Sequence, residues 1–264
     1  ITFEFLDSSF NKKFYSKNNY DTEVAYMGYR TRVMENMVDT SKEITPGRGI
    51  LSVTSINLPR IGIKNGTSLN GKANLNGFFQ ELEEKLDLVK DQLLERFEMQ
   101  CSKKVYNFPF LLGQALWIDS EKLKETDNLK KVLKQGTMSI GFTGLAECLK
   151  ALTGKHHGES KEAQELGLKI ISFMREKCDK YSEKYNLNFS LTATPSGNLS
   201  TDLIQMDQAI YGKIKNITDK EIYTDSFQLP KGYKISAEKK IEIEAPYHKL
   251  TNGGHITEIN LPED

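Results

Sequence analysis

Short β-branched runs set between long amphipathic stretches constrain this chain more than any other feature. Ile50-Leu51-Ser52-Val53-Thr54-Ser55-Ile56-Asn57-Leu58 alternates and is followed by Pro59, which cannot donate to a ladder and ends it. Phe78, Phe79, Leu82, Leu86, Val89, Leu93 and Phe97 recur at three- and four-residue steps, so the spacing predicts a helix over 78–97. Met138 to Phe142 reads as a short strand leading into a helix over Leu145 to Leu152. Glu159 to Tyr185 reads as a longer helix whose stripe is Ala163, Leu166, Ile170, Phe173, Met174 and Cys178. Asn188 to Thr194 alternates as a strand and ends at Pro195. Strand, helix and strand in repeated order predict an α/β fold of mainly parallel strands joined by crossover helices.

Weaker signals fill the remainder. A helix is expected over Ser120 to Lys134 with Ser120 as its cap, and strands over Val24 to Gly28, Ile241 to Ala245 and His255 to Leu261. Residues 1–23 lack a clear period and form a lead-in; residues 24–264 form the domain. The first two β-like runs bracket a Gly-, Pro- and charge-rich excursion over 27–50, too long for a tight hairpin and expected to project from the sheet.

Charge and cysteine usage exclude several classes. Lys+Arg and Asp+Glu both number 36, which removes any global attraction to a nucleic acid polymer or an anionic membrane. No apolar run approaches the roughly 20 residues that span a bilayer, and the first residues lack the layout of a secretory signal, so a cytoplasmic location is expected. Cys101, Cys148 and Cys178 form no CxxC pair, and an odd count argues against a disulfide framework. Cys148 lies in an amphipathic run and reads as a buried structural thiol. His156-His157 is flanked by glycines with no ligand partner at i+3 or i+4, which predicts a surface loop; no metal site is expected.

The motifs are more specific. Met27-Gly28-Tyr29-Arg30-Thr31-Arg32, Gly47-Arg48-Gly49-Ile50 and Ile56-Asn57-Leu58-Pro59-Arg60 come first. Gln135-Gly136-Thr137-Met138-Ser139-Ile140-Gly141-Phe142, Tyr185-Asn186-Leu187-Asn188-Phe189-Ser190-Leu191 and Ala193-Thr194-Pro195 follow. Ile222-Tyr223-Thr224-Asp225-Ser226-Phe227, Ala245-Pro246-Tyr247-His248 and Thr251-Asn252-Gly253-Gly254-His255-Ile256 close the series. With these motifs in this order, the chain resembles the anaerobic (class III, glycyl-radical) ribonucleotide reductases from about Val24 to Leu261. The resemblance implies half of a ten-stranded α/β barrel: the second parallel half-sheet and the finger loop of a ribonucleoside-triphosphate reductase large chain. The family's first half-barrel and its C-terminal radical-glycine and zinc segment lie outside the resemblance.

The resemblance also defines departures. Tyr29 stands at the thiyl cysteine position and Ile50 at a substrate asparagine position. A thiyl suits hydrogen abstraction from ribose because S–H and secondary C–H bonds are similar in strength; a phenol O–H is too weak. Ile50 offers a ribose hydroxyl neither donor nor acceptor. Arg30 and the turn Thr194, Pro195, Ser196, Gly197, Asn198 and Leu199 are the expected substrate-binding residues, the turn presenting backbone N–H groups to a phosphate. The family's acidic residue and arginine in and after this turn are missing, and Gln228 stands where a histidine is usual.

The implied cofactors are a glycyl radical made by a SAM/iron–sulfur activase, formate as reductant and zinc in the C-terminal segment; none is expected in this chain. The implied partners are a ribonucleoside triphosphate and either a second copy or another chain completing the barrel. Two functions stay open: a reductase barrel that is catalytically impaired, with the isolated chain inactive, or a non-enzymatic pseudoenzyme that binds a nucleotide or a partner.

Overall fold

β1 (Ile50–Asn57) ends where Asn57 turns the chain, its side chain accepting from Arg60 N at 3.3 Å and so capping α1 (Leu58–Asn65). Pro59 therefore starts a helix as well as ending a strand, and Leu58 belongs to that helix. The computed structural model describes residues 16, 31–33, 35–43, 46–67, 71–193 and 197–259. After α1 come α2 (Leu75–Cys101), the single turn α3 (Lys130–Leu133), β2 (Thr137–Thr143), α4 (Leu145–Thr153), α5 (Lys161–Tyr185), β3 (Asn188–Thr192), α6 (Leu199–Tyr211) and α7 (Ala237–His248). The described strands form one parallel sheet in the order β1-β2-β3. The α/β class and the parallel strands are as expected.

The register gives the sheet two unlike faces. Ile56 pairs with Phe142, and Ile140 with Leu191, and these side chains share one face with Met138 and Phe189. That face packs against Phe78, Leu82, Leu86, Leu93 and Phe97 of α2 and Ile170, Ile171, Met174 and Cys178 of α5, all in one buried cluster. Each fully buried side chain of this size stabilises the fold by about 1.5–3 kcal/mol. Asn74 caps α2 by accepting from Gly77 N, and Ser160 caps α5 by accepting from Ala163 N. Cys148 is fully buried, as expected, and burial pushes its thiol well above the usual range.

Several expectations are corrected. Ser120–Lys134 is not one helix: a 3-10 turn over Ser120–Lys122 and the single turn α3 are separated by a loop in which Asp127 Oδ2 accepts from Lys124 N. Ile241–Ala245 is not a strand but the middle of α7. Ser236 caps that helix by accepting from Lys239 N, and Lys240 bonds Glu244 four residues on. His255 makes only an isolated parallel bridge to Ala193, and no strand follows it over the described residues 256–259. α1 and α6 were not expected. His156 and His157 are buried rather than in a surface loop; His157 Nε2 donates to Phe227 O at 2.8 Å. The expected strand over 24–28 lies outside the described residues.

Candidate functional site at the carboxyl edge of the sheet

The face opposite the apolar core carries small hydroxyl groups. Ser139 pairs with Val53 and Ser190, and Gly141 pairs with Ser55 and Thr192. The Ser139 and Ser190 Oγ atoms lie 2.7 Å apart, and Thr192 Oγ1 donates to Gly253 O at 3.3 Å. A Cβ on Gly141 would fall 2.5 Å from Ser55 Oγ, so glycine is what lets these strands carry hydroxyls side by side.

At the amino end of this face, Asn188 binds residues 35–43. Met37 N donates to Asn188 Oδ1 at 2.8 Å, Asn188 Nδ2 to Asn36 Oδ1 at 3.3 Å, and Asn36 Nδ2 to Gln135 Oε1 at 3.2 Å. Gln135 Nε2 in turn donates to Asp119 Oδ2 at 2.7 Å. Lys122, Lys42 and Gln135 donate to Asp119 and hold its carboxyl far below the usual carboxylate range. Arg48 donates to Gln135 O and Glu35 O, and burial pulls its guanidinium down to about 10, still charged at neutral pH. Ile50 heads β1 opposite Thr137, half-buried and without a polar side-chain atom.

At the carboxyl end each strand runs directly toward a helix start. After β1, Asn57 Nδ2 and Arg60 Nε donate to Asp207 of α6 at 2.9 and 2.5 Å, and Tyr223 OH donates to the same fully buried carboxylate at 2.8 Å. Burial first, and the Asp207 charge second, push the Tyr223 phenol far up, so it is a donor at all ordinary pH. After β2, Gly144 adopts φ +74°, and a Cβ there would lie 2.1 Å from Pro59 Cγ, so the starts of α1 and α4 meet only because this residue is glycine. Thr143 Oγ1 lies 3.2 Å from Ser200 Oγ, which donates to Asp225 Oδ1 at 3.2 Å. Buried Glu147 accepts from Thr224 Oγ1 and Lys220 Nζ at 2.7 and 3.0 Å, tying the 220–225 segment to α4.

Beyond β3, Gly197 has φ +54° with open space around it, and Asn198 precedes α6 without a side-chain cap. Three helix N-termini thus gather at one edge, each a partial positive charge, and among the described residues no side chain caps the starts of α4 and α6. An edge of this kind is where ligands of parallel α/β sheets sit.

A family model described as anaerobic ribonucleoside-triphosphate reductase matches residues 1–264. The chain belongs to that family. It is 33% identical over 227 residues to the anaerobic ribonucleoside-triphosphate reductase of Salmonella typhimurium, covering 85% of this chain and 30% of that protein. The enzyme of phage T4 is 31% identical over 244 residues, covering 91% of this chain and 38% of that protein. The anaerobic ribonucleotide reductase of Thermotoga maritima, solved with glycerol in the active site, superposes with a TM-score of 0.60 at 22% identity, covering 82% of this chain and 32% of its own. The same enzyme solved with dATP and CTP gives 0.58 at 20% identity, covering 82% and 35%. The chain spans about a third of the length of these relatives, and its fold is part of the reductase barrel.

Against this family, the expected site residues divide by position. Gly197, Asn198 and Leu199 stand at the carboxyl edge; Ile50 stands at the other end of β1, on the order of 20 Å away at about 3.3 Å per residue. The structure does not bring them to one point; the hydroxyl face links them. Tyr29, Arg30, Thr194, Pro195 and Ser196 lie outside the described residues. The family's zinc does not fit the described residues: no group of three or more His, Cys, Asp or Glu is placed to hold a metal, and Cys101, Cys148 and Cys178 are separately buried on α2, α4 and α5. Among the described residues no helix is long and apolar enough to cross a membrane.

Sequence reasoning missed Asp207 and Glu147. Each is an acid on an otherwise apolar helical face, beside Ile204 in α6 and within Leu145–Leu149 in α4, and that misfit was the available signal.

Proposed function

We propose that this chain is the substrate-holding part of a ribonucleoside-triphosphate reductase barrel, one that seats a nucleotide without starting the radical reaction itself. The observation that carries this reading is the uncapped start of α6 behind Gly197, set beside the starts of α1 and α4. Backbone N–H groups of Gly197, Asn198 and Leu199 take the phosphates. The sugar lies over Ser139 and Ser190, and Arg30 adds charge from the loop. Ile50 closes the amino end as an apolar wall, and a tyrosine at position 29, where the family carries its thiyl cysteine, leaves the chain without the group that starts the chemistry. A second half-sheet, from a second copy or another chain, completes the barrel; the activase, the glycyl radical and formate act on that assembly.

Two assays test this. Thermal unfolding with ATP, CTP, GTP or UTP is expected to show saturable stabilisation, about 2.7 kcal/mol at a hundredfold excess over Kd. The chain incubated with a ribonucleotide reductase activase, SAM and formate is expected to form no deoxynucleotide. Absence of any shift would remove the nucleotide reading, and turnover above background would remove the impairment.

A further inference from the structure

A second cleft, of about 290 Å³, opens at the amino ends of β2 and β3, away from the carboxyl edge. Its size is near the lower end of small-molecule pockets, about 300 Å³. One wall is the last half of α5, which presents Arg175, Asp179 and Glu183 at i, i+4 and i+8, spread over about 12 Å at 1.5 Å per residue. The floor includes Thr137, Asn188 and Ser190.

Three features show that this cleft is not satisfied by its own walls. Thr137 is 3% exposed, and its Oγ1 has no hydrogen-bond partner among the described residues. Arg175 is held through Nε alone, at 2.8 and 3.0 Å from the Asp179 carboxylate; its two Nη groups carry no hydrogen bond among the described residues. Those Nη groups form a ready fork for a planar anion. Glu183, at the exposed end of the row, has no ion-pair partner among the described residues.

The row therefore reads plus, minus, minus along one helix face. Its complement is a molecule reading minus, plus, plus over a comparable reach. We propose that this cleft binds a basic α-amino acid, with its carboxylate forked on Arg175, its α-ammonium on Asp179 and its side-chain cation on Glu183. The four-carbon stem of lysine, or the longer arm of arginine, carries the second cation along the helix. A simple diamine lacks the anion that Arg175 requires, and a neutral amino acid leaves Glu183 bare.

The test is thermal unfolding of the whole chain titrated with L-lysine and L-arginine, against norleucine, which lacks the tail cation, and cadaverine, which lacks the carboxylate. Saturable stabilisation by lysine or arginine is expected, with norleucine and cadaverine at least tenfold weaker. Arg175→Gln is expected to weaken lysine at least tenfold. Glu183→Gln is expected to weaken lysine but leave norleucine unchanged. A ligand-free Tm near that of the unaltered chain shows each variant to be folded; should Arg175→Gln unfold, the exposed Glu183→Gln decides alone. No saturable shift with either amino acid, equal shifts for lysine and cadaverine, or unaltered lysine affinity in the folded variants overturns the proposal. Nucleotide binding is read at the other end of the sheet, so either result leaves the carboxyl-edge reading separately testable.

Discussion

The two faces of the central strand β2 are buried to the same degree and built from opposite chemistry. Met138, Ile140 and Phe142 on one face, and Thr137, Ser139 and Thr143 on the other, are all at most 3% exposed. The apolar face is packed by the helices of the core, so its worth is transfer and packing energy. The hydroxyl face gains little on burial, because each hydroxyl must recover in the protein the hydrogen bonds it gave up in water. A chain selected for stability alone would gain by making both faces apolar. Retaining Ser, Thr and Gly on one face marks it as the face that meets something polar.

The contrast is broken most severely from the apolar side. Phe142→Ala, emptying a site wedged under α2, is expected to cost about 3–5 kcal/mol in denaturant unfolding. Next, Asp207→Ala leaves Asn57, Arg60 and Tyr223 without their shared acceptor, and a loss of about 3 kcal/mol is expected by the same measurement.

Acid acts on a third place, the rings of His248 and His255, stacked with centroids 4.1 Å apart. Burial, with Arg32 nearby, lowers His248 to about 4; burial, then His248 and Arg32, lower His255 to about 3. Both folded values lie below the ordinary 6.5, so the unfolded chain binds more protons across that interval. Stability is complete above pH 6.5 and falls as the pH drops toward 4, on the order of 1 kcal/mol per ring by pH 5.5. Tm measured from pH 7.5 to 5 checks the slope; buried His156 and His157, lowered to about 4 and 3, add to it in the same direction, so His248→Gln is expected to make it shallower by one ring's share rather than flat. The smallest effect is on the hydroxyl face: Ser139→Ala removes one half of the Ser139–Ser190 contact and is expected to cost about 1 kcal/mol.

Legibility in the sequence follows the same division. β1, β2, β3, α2 and α5 could be read because each keeps a single apolar period, even though β2 and β3 are buried on both faces. In α7, Ile241, Ile243 and Ala245 alternate like a strand, while the deciding signals, the Ser236 cap and the Lys240–Glu244 pair, lie in residues that carry no apolar pattern. α6 was hidden because Gly197-Asn198-Leu199-Ser200 reads as a turn, and its first helical residues are themselves small and polar. The resemblance pointed to Gly197, Asn198 and Leu199, and the structure sets them at the start of α6. Asp207 could not be paired with Asn57 from sequence, since the two are 150 residues apart and meet only once the sheet brings α1 and α6 together.

The account rests on the carboxyl edge recognising phosphate. The most direct measurement is calorimetric titration of CTP and of cytidine into the chain and into Gly197→Val, a change at an exposed positive-φ position expected to cost more than about 1 kcal/mol of stability, with the unfolding curve of the variant showing that it is folded. CTP binding at least tenfold tighter than cytidine, with that advantage lost in Gly197→Val, is the predicted result. Equal affinities for CTP and cytidine, or an advantage that survives in Gly197→Val, would contradict it.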